Sequence, residues 1–147
     1  MLSRASDDVR RNVAISPIDA LLSVPVAYRW VITLVFVALL IALSVTPGVA
    51  RPGDNIFAWL YANTSTPVQK ALHVVCYATL SSLWMWTLSG VASFRMRALI
   101  AILLSLGLGI ALEWYQTQVP GRFGTIADVV LNTIGVIIGL AAAILFL

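Results

Sequence analysis

The chain has 147 residues, of which 61% are hydrophobic and 10% charged, with a formal net charge of +3 and a mean hydropathy of +0.97. Soluble domains carry roughly 25% charged residues, and a core this small cannot hide the apolar surplus, so the composition excludes a soluble enzyme and requires contact with lipid. Cys76 is the one cysteine, which excludes an internal disulfide and a cysteine-based metal site, and basic residues that flank apolar runs argue against a nucleic-acid partner.

In chain order, residues 1–27 form a polar tail holding Arg4, Asp7, Asp8, Arg10, Arg11 and Asp19. The weakly apolar stretch 15–26, with Pro17 and Pro25, suits a short helix lying along the membrane interface. A cleaved signal peptide is the competing reading, since Gly48-Val49-Ala50 loosely resembles a cleavage site, but the apolar run before it is long for one. Four apolar segments follow, at about 28–46, 68–91, 98–115 and 126–147. Each is close to the ~20 residues that cross a hydrocarbon core of about 30 Å. Within lipid only a helix satisfies every backbone N–H and C=O over such lengths. The expected fold is an all-α integral membrane bundle of four transmembrane helices over 28–147, with 1–27 as a cytoplasmic N-terminal tail.

Basic residues near the span ends set the expected orientation. An N-terminus in the cytoplasm puts Arg4, Arg10, Arg11, Arg29, Arg95 and Arg97 on that side, against Arg51, Lys70 and Arg122 on the other. Both termini are then cytoplasmic.

The remaining polar groups gather at the outer face. Lys70, His73 and Tyr77 follow one another at spacings of three and four, which is one stripe of the second span. Glu113 and Gln116 lie a turn apart at the outer end of the third. Arg122 sits in the turn-rich connection 117–125, which is expected to cap an outer pocket. Asp128, Asn132, Gly135 and Gly139 form a stripe on the fourth, polar in its outer half and glycine in its inner half, where another helix can approach closely. Charges in hydrocarbon cost several kcal/mol and so turn inward and pair, which sets Lys70 and Arg122 against Glu113 and Asp128 with His73 beside them. Thr64, Ser65 or Thr66 can cap the second span ahead of Pro67.

These residues resemble the signatures of VanZ-like bacterial membrane proteins. Lys70-Ala71-Leu72-His73 with Tyr77 and Leu80 is similar to the first, roughly D-K-x-x-H-x-x-x-Y-x-x-L. Glu113-Trp114-Tyr115-Gln116, Arg122, Asp128, Asn132, Gly135 and Gly139 are similar to the second, roughly E-x-x-Q, R, then D-x-x-x-N-x-x-G-x-x-x-G. The resemblance covers 67–139 and departs at Gln69, where the family commonly has Asp. It implies a small multi-span protein of the bacterial cytoplasmic (inner) membrane, and the founding member is linked to low-level resistance to the glycopeptide teicoplanin. It implies no reaction.

The residue types themselves leave several chemistries open. His73, Glu113 and Asp128 could offer N and O ligands to a divalent ion, yet a single histidine makes a weak metal site, and no cofactor is expected. The same three could exchange protons, but no nucleophile motif accompanies them, which argues against an enzyme. Lys70 and Arg122 suit an anionic group, with Glu113 and Asp128 orienting it and pairing with His73, and Asn132 supporting them. The leading expectation is a pocket for a lipid head group, a lipid-linked glycan or a glycopeptide-type amphiphile, with membrane lipids as partners. The alternative is an accessory subunit of a larger membrane complex, its polar cluster holding the helices together.

Overall fold

The computed structural model describes residues 17–49 and 56–146, and these are helical and connecting segments with no strand among them. Six helices follow in order: α1 (Pro17–Ser23), α2 (Val26–Val45), α3 (Ile56–Ala62), α4 (Thr66–Thr87), α5 (Phe94–Gln116) and α6 (Ile126–Phe146). Residues 1–16 of the tail, with Arg4, Asp7, Asp8, Arg10 and Arg11, together with Ala50 of the cleavage-like tripeptide and Arg51, lie outside the described residues, and Asp19 lies in α1.

Among the described residues, α2, α5 and α6 are long and apolar enough to cross a membrane, three helices where four were expected. The difference is α4. At 22 residues it has the length, but Gln69, Lys70, His73, Tyr77, Ser81 and Ser82 lower its hydropathy. It can carry them because it is the central helix, in contact with α2, α5 and α6. Tyr77, Leu80, Ser81 and the run Trp84–Thr87 are buried among those neighbours. The outer helices instead present apolar side chains outward, such as Leu103 (62% exposed) and Ile137 (61%). Water would not tolerate that surface on a monomer, and lipid does.

The most extensive contact joins α4 to α6. It depends on glycine. A Cβ at Gly135 would lie 2.5 Å from the Val74 carbonyl and 3.0 Å from the Tyr77 Cβ, and one at Gly139 would overlap the Ala78 carbonyl and the Ser81 hydroxyl. The two helices therefore meet backbone to backbone, and Ser81 and Ser82 donate to the carbonyls of Val136 and Gly139 at 3.2 and 3.1 Å. The α4–α6 pair is the rigid frame on which the polar residues sit.

Local signals explain the helix ends. Proline in the first turn of α4 costs no intrahelical bond, and Ser65 stands at its N-cap without a side-chain bond. Thr64 turns back to the Leu60 carbonyl at 2.6 Å and closes α3 instead. Thr125 caps α6: its hydroxyl accepts the Asp128 N–H at 3.2 Å and donates to the Asp128 carboxylate at 2.6 Å.

At the end of the bundle holding α1, Arg29 is buried at 5% exposure. Its Nε donates to the Val24 carbonyl at 2.7 Å, Nη2 to the Leu22 carbonyl, and Nη1 to the Trp86 carbonyl at 3.2 Å and the Ser89 hydroxyl at 2.6 Å. Trp86 adds a bond from its indole N–H to Leu21 at 2.9 Å. The short α1 is thus tied to the end of α4, and Arg29 is more than a marker of orientation.

Candidate functional site

At the opposite end, α4, α5 and α6 bring three polar side chains into contact. His73 Nδ1 lies 2.9 Å from Asn132 Oδ1 and 3.5 Å from Glu113 Oε1, and Asn132 Nδ2 donates to the same Glu113 oxygen at 3.5 Å. Asn132 and Glu113 are buried, at 1% and 5% exposure. Two oxygens face His73 Nδ1, so that nitrogen carries the hydrogen, and in the neutral ring Nε2 is left as an acceptor. Glu113 Oε2 is buried with no hydrogen-bond partner among the described residues, although the Thr125 backbone amide lies close to the carboxylate.

Glycine makes room for this arrangement. A Cβ at Gly109 of α5 would sit 3.0 Å from the Tyr77 ring and 3.2 Å from Asn132 Nδ2. The Gly124 backbone lies directly against the Glu113 carbonyl, where a Cβ would overlap it, so the chain entering α6 covers the end of α5.

Beside the cluster is a cavity of about 350 Å³. Leu40, Leu43, Phe57, Leu60 and Leu72 supply apolar lining from α2, α3 and α4, and His73, Tyr77, Glu113, Gln116 and Arg122 are among its polar lining. Its size falls within the range typical of small-molecule sites, as does an apolar lining with few convergent polar groups.

Not every expected residue reaches it. His73, Tyr77, Glu113, Gln116 and Arg122 line the cavity, and Asn132 supports them from behind. Lys70 is exposed and lies apart from the cavity wall. Asp128 serves the α6 cap. Among the described residues, no ion pair joins Lys70 or Arg122 to Glu113 or Asp128, which corrects the expected pairing of charges. Lys70 lies in the first turn of α4, where a long side chain can run out past the bundle toward water.

Arg122 has a different task from the expected one. Its Nε donates to the Thr46 carbonyl at 2.9 Å and its Nη2 to the Leu43 carbonyl, so it caps the C-terminal end of α2. Its guanidinium stacks on the Tyr61 ring, 3.4 Å from the centroid. Burial lowers the pKa of this group, Tyr61 and Glu113 oppose that, and a guanidinium keeps its charge throughout. The connection 117–125 carries it there through a turn at Gly121, whose φ of +75° suits glycine, with the Gly48 N–H bonded to the Pro120 carbonyl at 3.0 Å.

Three contributors escaped the sequence reading. The seven-residue α3 forms part of the wall. Tyr61 supplies the stacking face. Gln69 donates to the Thr64 carbonyl at 2.8 Å and the Tyr61 carbonyl at 3.4 Å, holding α3 against α4. A carboxylate, which the family commonly has there, could not donate those bonds.

A family model, VanZ/LLP1, matches residues 28–147. The chain belongs to the VanZ/LLP1 family. Matching thus begins at the start of α2 and takes in every helix that contributes to the cavity. Comparisons with curated proteins and with solved structures find no match. Among the described residues no three His, Cys, Asp or Glu side chains converge as a metal site.

Proposed function

We propose that this VanZ/LLP1 family protein holds the polar head of an amphiphile at one face of the bacterial cytoplasmic membrane. The observation that carries the reading is the cavity itself, in which leucine and phenylalanine side chains of α2, α3 and α4 meet the polar groups of His73, Glu113 and Gln116. Such a division matches a molecule with a hydrocarbon part and a hydrogen-bonding head, a lipid, a lipid-linked glycan or a glycopeptide-type amphiphile. In this account α4 spans the membrane as the fourth helix, its polar groups covered by neighbours, and its 22 residues would extend about 33 Å. That Arg29, Arg95 and Arg97 share the other end of the bundle supports a cytoplasmic position for that end and for both termini.

The test is to purify the protein in mild detergent and identify bound amphiphile by native mass spectrometry. Cys76→Trp fills the cavity and is expected to abolish the adduct, whereas Val75→Trp on the exposed side of α4 keeps it. An adduct that survives Cys76→Trp at the wild-type level contradicts the reading.

A further inference from the structure

Resting on that reading of the cavity, we propose that the head group recognised is a primary ammonium borne on an amphiphile, bound at His73 Nε2 with the Glu113 carboxylate behind it as counter-charge. The argument starts from the hydrogen on Nδ1. Asn132 Oδ1 at 2.9 Å and Glu113 Oε1 at 3.5 Å both face that nitrogen, and a hydrogen on it is the one arrangement that suits two oxygens. Asn132 cannot reverse its amide without turning its NH2 toward the imidazole N–H and its oxygen toward the carboxylate. The imidazole is therefore held in one tautomer, and its free acceptor, Nε2, belongs to a side chain that lines the cavity and is 23% exposed. A ligand meeting it must bring an N–H or O–H.

Charge narrows the choice to a cation. Glu113 is buried within a membrane-length helix, and its second oxygen has no partner among the described residues. The cation nearest along the cavity wall, Arg122, is committed to the carbonyls of Leu43 and Thr46 and to the Tyr61 face. Arg122 balances the Glu113 charge in number, but among the described residues no lysine or arginine lies within ion-pair distance of that carboxylate, and burying a carboxylate without a cation in contact costs several kcal/mol. An ammonium at Nε2 answers the carboxylate through the ring, and it supplies the donor that Nε2 requires. A quaternary ammonium has the charge and no N–H.

Phosphatidylethanolamine and phosphatidylcholine with matched acyl chains differ in those N–H donors and in three methyl groups, and the N-dimethyl lipid, which has the bulk and one N–H, separates the two. In competition on the purified full-length protein, read by native mass spectrometry, phosphatidylethanolamine is expected to outcompete phosphatidylcholine by roughly ten-fold, the worth of one charge-assisted hydrogen bond. His73→Phe removes the acceptor and is expected to bring the ratio near one, Glu113→Gln weakens both lipids while keeping the preference, and Val75→Trp leaves both affinity and ratio unchanged. The wild-type ratio is read on the unaltered chain, so it decides the matter even if His73→Phe folds poorly. Equal binding of the two lipids, with Cys76→Trp still blocking both, overturns the ammonium assignment and leaves the head-group reading intact. Loss of the Cys76→Trp effect overturns the head-group reading as well. Preference for phosphatidylglycerol overturns the assignment in favour of an imidazolium that donates to phosphate. Soluble phosphoethanolamine separates the sources: displacement of the lipid supports recognition of the amine head alone, and a ten-fold ratio without displacement supports recognition that also needs the tails.

Discussion

Each end of the bundle buries a charged side chain, and the two are treated differently. Arg29 has a partner for each of its three nitrogens, all of them carbonyls or a hydroxyl from α1, the α1–α2 junction and the end of α4. Glu113 has one oxygen engaged and one without a partner among the described residues, beside a cavity of about 350 Å³. A buried charge with every bond made is a fastener, because the geometry leaves nothing for a ligand to supply. One that is incompletely bonded and stands beside a cavity leaves its charge to be answered from that cavity. The contrast supports a structural part for the first end and the proposed recognition at the second.

The largest effect is expected from breaking the frame both ends share. Gly139→Leu forces a side chain into the Ala78 backbone and should cost about 3 kcal/mol or more, seen as loss of monodisperse protein on size exclusion. Arg29→Met removes every donor of the fastener while keeping length. It should destabilise by roughly 2–3 kcal/mol in thermal unfolding and leave amphiphile binding within about three-fold.

How much of this was legible in the sequence depended on the range of the interaction. The three apolar spans and the glycine stripe of α6 are local patterns and could be read directly. The meeting of His73, Glu113 and Asn132 could be expected from helical stripes that end at one depth. The Trp86 partner of Arg29 and the Thr46 partner of Arg122 could not, since they lie 57 and 76 residues away along the chain, and nothing local distinguishes an arginine that binds carbonyls from one that faces water. Lys70 shared the stripe of His73 but not its surroundings, because periodicity gives a direction and not the depth of the neighbour. α3 was missed because seven residues carry too little periodic signal.

Smaller effects sharpen the same contrast. Tyr61→Leu removes the stacking face of Arg122 and should cost about 1 kcal/mol, measurable as a lowered melting temperature. Asp128→Ala loses half of the α6 cap, about 0.5–1 kcal/mol, and should leave head-group selectivity unchanged in the lipid competition. A selectivity change there as large as that of His73→Phe would return Asp128 to the site.

The most direct measurement compares the melting temperatures of Arg29→Met and Glu113→Gln in one detergent without added lipid. The account predicts a fall of roughly 5–10 °C for Arg29→Met and no fall for Glu113→Gln, which removes an unanswered charge from the membrane interior. An equal fall in both would make the Glu113 cluster a second fastener and contradict the division between the two ends.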